Sequence, residues 1–67
     1  MNRITLGESI RRARLDAGLT QSELACRIGT DQHTISRYEN DQQDMGVNRL
    51  FEIAKALGVL PVSLFNS

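Results

Sequence analysis

Apolar residues fall along this chain in short stripes of helical spacing, separated by glycines and by polar residues suited to helix caps. Leu6, Ile10, Ala13 and Ala17 form the first stripe. Thr5 and Glu8 frame its start as a T-x-x-E capping box, and Gly18 is a natural stop. A second box, Thr20 with Glu23, opens a helix that carries Leu24, Ala25 and Ile28 and ends at Gly29. Asp31 is a good N-cap for a third helix running to about Glu39, with Ile35 and Tyr38 facing inward. After a polar loop from Asn40 to Asp44, a fourth helix runs from about Val47 to Leu57. Its expected buried stripe is Val47, Leu50, Ile53, Ala54 and Leu57. Gly58 stops it, and Pro61 suits the first position of a short fifth helix through Phe65, although Leu60 is a poor cap there. No β pattern, repeat, linker or low-complexity tract interrupts this, so the expected fold class is all-α with five helices.

The 67 residues make one domain, 1–67, with 40% apolar and 24% charged positions, a globular balance. A chain this short buries only about 60% of its unfolded surface, so its core is marginal and dimerisation would help it. No apolar run approaches the roughly 18 residues of a membrane span, and no charged-then-apolar leader follows Met1. The expectation is a cytoplasmic protein without a membrane partner. Cys26 is alone, which excludes an internal disulfide and any multi-cysteine metal site.

The stretch from Thr20 to Asn40, TQSELACRIGTDQHTISRYEN, reads as two short helices joined by a glycine turn. The outer face of its second helix is polar and carries Gln and Arg, the way a small protein offers one helix to the DNA major groove. Ala25 sits where the two helices would cross closely, and Gly29 follows a helix end where positive φ is cheap only for glycine. Formal charge is zero, which counts against nucleic-acid binding. Distribution softens this, since seven of the eight cations are Arg and five of them are Arg11, Arg12, Arg14, Arg27 and Arg37. Arg suits bidentate contact with phosphate and guanine better than Lys.

This segment, with LGESIRRARLDAGLT before it and LFEIAKALGV after it, resembles the Cro and phage-repressor (Xre-type) helix-turn-helix family over nearly the whole chain. The resemblance implies a lambda-repressor-like domain with helices 2 and 3 as the helix-turn-helix, about residues 20–40. It also implies a sequence-specific transcriptional regulator that binds a palindromic operator as a homodimer, of the phage repressor or restriction–modification controller type. By position, Gln32, His33, Thr34, Ser36 and Arg37 match the outward face of the recognition helix, and Gln21 matches a backbone contact at the start of helix 2. Gln32 suits adenine and Arg37 suits guanine O6 and N7, each good contact giving about 1–3 kcal/mol of discrimination. Arg37 is equally open to a phosphate or a salt-bridge role, and the plain reading of Gln32, Thr34 and Ser36 is solvated surface. Arg11 and Arg12 read as a solvated face or a backbone contact. Arg14 and Glu39 match a pair that joins helix 1 to helix 3, so an ion pair is expected.

Two departures stand out. The loop Asn40-Asp41-Gln42-Gln43-Asp44 carries two acids where the family often has cations, leaving Asn40 and Gln42, with Gln43, as the DNA contacts expected there. Fewer released counterions imply a shallow salt dependence. Gly46 also stands where Ser or Asp often caps helix 4.

Val59, Leu60, Val62, Leu64 and Phe65 are more apolar than so short a helix buries within one domain. Either all of them finish the core, or Leu64 packs inward while Leu60, Val62 and Phe65 form a twofold interface, making 58–67 a dimerisation segment. His33 has no second His, Cys or acidic partner at metal-ligand spacing, which leaves a polar DNA-facing role. No metal, cofactor or small-molecule ligand is expected. Glu, His, Ser and Cys occur in no nucleophile–base spacing, so no enzyme is expected. The alternative function is an antitoxin that uses the same fold to hold a partner protein as well as DNA. Antitoxins usually add a toxin-binding tail, and none is visible before Ser67.

Overall fold

A computed structural model describes residues 4–65. The order is α1 (Leu6–Asp16), α2 (Gln21–Ile28), α3 (Gln32–Glu39), α4 (Val47–Leu57) and α5 (Pro61–Phe65), with no strand among the described residues. The all-α, five-helix class read from the sequence is the class observed. Asn66 and Ser67, at the end of the expected dimerisation segment, and Met1 to Arg3 lie outside the described residues. Among the described residues no helix is long and apolar enough to cross a membrane.

Local chemistry accounts for the helix starts. At α2 the box is complete: the Thr20 hydroxyl accepts from the Glu23 amide at 3.0 Å, and Glu23 accepts from the Thr20 amide at 2.8 Å. At α1 only half of the expected box forms. Thr5 accepts from the Glu8 amide at 3.1 Å, while the Glu8 carboxylate turns along the helix to Arg12, 3.6 Å away. Asp31 caps α3 by accepting from the Thr34 amide at 2.8 Å. Gly46 gives α4 no side-chain cap. Between α2 and α3 the chain reverses through Gly29 at φ 73°, where a side chain would be strained.

The core is one cluster built around Ile10, Leu24, Ile35 and Ile53, all fully buried. Leu19, Ala25, Tyr38, Leu50, Ala54, Leu57 and Leu64 surround them. α2 packs against α3 and α4, and α5 closes over α1 and α4. Two expected core positions are corrected. Val47 is 65% exposed, because it opens α4 at the rim while Met45, just before the helix, packs against the core. Ala17 is exposed at the C-cap of α1, and Leu19 fills the core beyond it.

The sequence reading assigned no reason to Gly7, yet α1 and α3 meet there. A Cβ on Gly7 would lie 2.4 Å from the Tyr38 carbonyl oxygen and 2.6 Å from that of Glu39. Only glycine lets the first turn of α1 rest on the last turn of α3.

Candidate nucleic-acid interface

α3 is amphipathic in a way that serves its outer face. Ile35, Tyr38 and Glu39 are buried, so three of its eight residues anchor it to the body of the protein. Gln32, His33 and Arg37 are exposed on the other side, with Thr34 and Ser36 half-buried between the two faces. The five residues expected to read DNA therefore lie on one short helix, three fully outward and two at the margin.

Beneath that face, the expected partners Arg14 and Glu39 form a buried ion pair. Arg14 Nε donates to Glu39 Oε2 at 2.6 Å and Nη2 to Oε1 at 3.2 Å, a two-bond grip of the kind that fixes geometry best. Arg14 Nη1 also donates to the Leu19 carbonyl at 2.8 Å, so one guanidinium joins α1, the α1–α2 turn and α3. No side-chain nitrogen or oxygen is buried without a partner among the described residues.

Gln21 is half-buried and turned inward rather than straight to solvent: its Nε2 donates to Glu39 Oε1 at 3.0 Å. Its Oε1 accepts from Gln32 Nε2 at 3.4 Å, and Gln32 Oε1 accepts from the Ser22 hydroxyl at 3.1 Å. Ser22 was not among the sequence candidates, since a serine in the first turn of a helix carries no signal of what it touches across to the next helix.

At the other end of α3, Arg37 is held by its neighbours. Its Nε donates to Gln43 Oε1 at 2.8 Å and its Nη2 to Thr34 Oγ1 at 3.4 Å, leaving the guanidinium exposed along the helix surface. Asn40 Nδ2 donates to the Ser36 carbonyl at 2.9 Å, and Gln42 is exposed with its amide bonded to the Arg37 carbonyl. Asp41 has φ 56°, a left-handed conformation that Asp tolerates better than most residues. Its Oδ1 accepts from the Gly7 amide at 3.1 Å, so one acid of the loop is committed to the N-terminus of α1.

Charge at the interface is sparse. Arg27 donates to the Ala56 carbonyl and Arg49 to the Ile28 carbonyl, which engages both with helix ends inside the protein. Two carboxyls beside the face sit below the usual range: Glu23 through the Thr20 backbone and hydroxyl bonds, and Asp31 through the Thr34 hydroxyl and amide. Both stay ionised at helix N-termini near neutral pH.

α5 divides its apolar residues. Leu64 is 2% exposed, whereas Leu60, Val62 and Phe65 are 71%, 57% and 64% exposed. Phe51 on α4 is 52% exposed as well, a surface position the sequence reading did not single out.

The fold and this face belong to a class of small DNA-binding regulators, and comparison with known proteins places the chain within it. The helix-turn-helix family model matches residues 10–64, and the chain belongs to that Xre-type helix-turn-helix family. An uncharacterised HTH-type transcriptional regulator of Sinorhizobium fredii is 39% identical over 59 residues, covering 88% of this chain and 77% of that protein. Antitoxin HipB of Escherichia coli K12 is 38% identical over 52 residues, and the alignment spans 78% of this chain but only 59% of HipB. Among solved structures, the restriction–modification controller C.AhdI of Aeromonas hydrophila superposes with a TM-score of 0.86 at 30% identity, covering 90% of this chain and 91% of that one. The P22 c2 repressor, solved in complex with a synthetic operator, gives 0.84 at 27% identity over 92% of this chain and 94% of its own. These relatives comprise a transcriptional regulator, an antitoxin, a restriction–modification controller and an operator-bound repressor, and the lambda-repressor-like fold expected from the sequence is the one found.

Proposed function

We propose that this protein is a homodimeric transcriptional regulator acting in the cytoplasm, with α3 entering the major groove of a palindromic operator. The observation that carries the reading is the division of α3, its outward Gln32, His33 and Arg37 standing on a buried base of Ile35, Tyr38 and Glu39. Gln32 reads adenine and Arg37 reads guanine, while Thr34 and Ser36 meet the groove wall. Gln21, whose amide has one N–H beyond its bond to Glu39, meets the phosphate backbone together with Asn40 and Gln42. Leu60, Val62 and Phe65 of two copies form the twofold contact, which sets the two α3 helices about 34 Å apart, one DNA turn.

Selection of bound sequences from a random DNA pool tests this. A palindrome with half-site centres about 10 base pairs apart is the expected result; no enriched sequence overturns it. The likeness to HipB supports a second reading, an antitoxin that also holds a partner protein. Its mark is stoichiometric co-purification with one partner of unrelated sequence.

A further inference from the structure

We propose that Ser22 is a positioning residue that orients the Gln32 carboxamide for base readout, as the end of a hydrogen-bond relay whose direction is set by the buried ion pair. A carboxylate only accepts hydrogen bonds. Glu39 Oε1 therefore obliges Gln21 to present Nε2 toward it, 3.0 Å away. That leaves Gln21 Oε1 facing α3, where it can only accept, and Gln32 must offer its Nε2, at 3.4 Å. Gln32 Oε1 then faces Ser22, whose hydroxyl donates at 3.1 Å. Each amide has two opposite flips; the Glu39 and Gln21 links permit one each, and the Ser22 hydroxyl, able to donate or accept, then meets the Gln32 carbonyl and donates. The relay begins at a pair whose side chains are 9% and 2% exposed and ends on the exposed rim between α2 and α3.

The consequence is chemical. Gln32 uses one N–H on Gln21 and one lone pair on Ser22, which leaves the second N–H and the second carbonyl lone pair free on the same amide. Those are the donor and acceptor that adenine N7 and N6–H2 require. Without Ser22 the carbonyl end of Gln32 is untethered, and the amide must be ordered at the moment of binding. This rests on the proposed role of Gln32 as a base reader. Ser22 itself touches no base.

The test uses the full chain, with Ser22→Ala, Ser22→Thr and Gln32→Ala each carried through selection from a random DNA pool and through binding at several salt concentrations. Ser22 is exposed, so thermal melting of Ser22→Ala matches wild type. Ser22→Ala is expected to lower the preference for adenine at one position of each half-site roughly two- to tenfold, the range of one net hydrogen bond. Other positions and the salt slope stay unchanged, and Ser22→Thr, which keeps the hydroxyl, restores the preference. Gln32→Ala abolishes it at the same position. An adenine preference in Ser22→Ala equal to wild type, while Gln32→Ala loses it, overturns the positioning role and leaves the reading of Gln32 intact. Uniform weakening across all positions with a reduced salt slope marks Ser22 as a phosphate contact and overturns it too. No change in Gln32→Ala overturns the base-reading role, and the positioning role with it.

Discussion

Arg14 and Glu39 show how a site for DNA depends on residues that face away from it. Their two bonds hold α3 against α1, and the same carboxylate orients Gln21. Truncating one partner leaves the other charge buried and alone, which costs about 3–5 kcal/mol. A core of this size rarely supplies more than about 3–5 kcal/mol in total. Glu39→Ala is therefore expected to lose its cooperative thermal transition near room temperature, followed by circular dichroism. A melting temperature within about 5 °C of wild type contradicts a structural role for the pair. Ser22 and Asp41 are the complementary case. Neither is legible in the sequence, because a hydroxyl in the first turn of α2 and an acid in a polar loop both pass for solvated surface. Only the fold brings Ser22 to Gln32, and only the left-handed backbone at Asp41 turns its carboxylate to Gly7.

Helices were the most legible level of this protein. Their starts are written in neighbouring residues: Thr20 with Glu23 and Asp31 with the Thr34 amide close their own turns. Because Glu23 and Asp31 have carboxyls held below the usual range, the folded state favours their ionised forms. Their contribution to stability is complete above the ordinary carboxylate range and is lost as pH falls below it. Urea midpoints of Asp31→Asn and wild type, compared from neutral pH to about pH 3, are expected to converge at the acid end. An unchanged gap contradicts the cap's ionic share. Contacts between helices were less legible. Periodicity put Val47 in the core because spacing shows direction but not where the opposing layer ends. Gly7 passed unexplained because its use lies in a neighbour more than thirty positions away, the Tyr38 carbonyl. Gly7→Ala is expected to destabilise the fold by about 1–3 kcal/mol despite alanine's better helix propensity, since the crowding atoms are backbone and cannot turn aside. A urea midpoint at or above wild type contradicts this contact.

At the scale of the whole molecule, neutral charge and an apolar patch define how it would work. Formal charge is zero, and Arg14, Arg27 and Arg49 all bond within the protein. Bulk attraction to DNA is weak under those conditions, so affinity has to come from placed contacts and from engaging two half-sites at once. Leu60, Val62 and Phe65 are exposed together while Leu64 holds α5 to the core, and they are the surface proposed for that pairing. Phe65→Asp, which leaves Leu64 in place, is expected to sediment as a folded monomer at micromolar concentration where the wild type is a dimer; an unaltered dimer contradicts the interface. The measurement that bears most directly on the paired-helix arrangement is operator affinity as the half-site spacing changes. Inserting about five base pairs turns one half-site to the opposite face of the duplex. Binding to that DNA is expected to fall to the level of a single half-site, and inserting a full turn of about ten base pairs is expected not to restore it, because the half-sites then stand about two turns apart. Affinity that ignores the spacing contradicts two α3 helices held one turn apart.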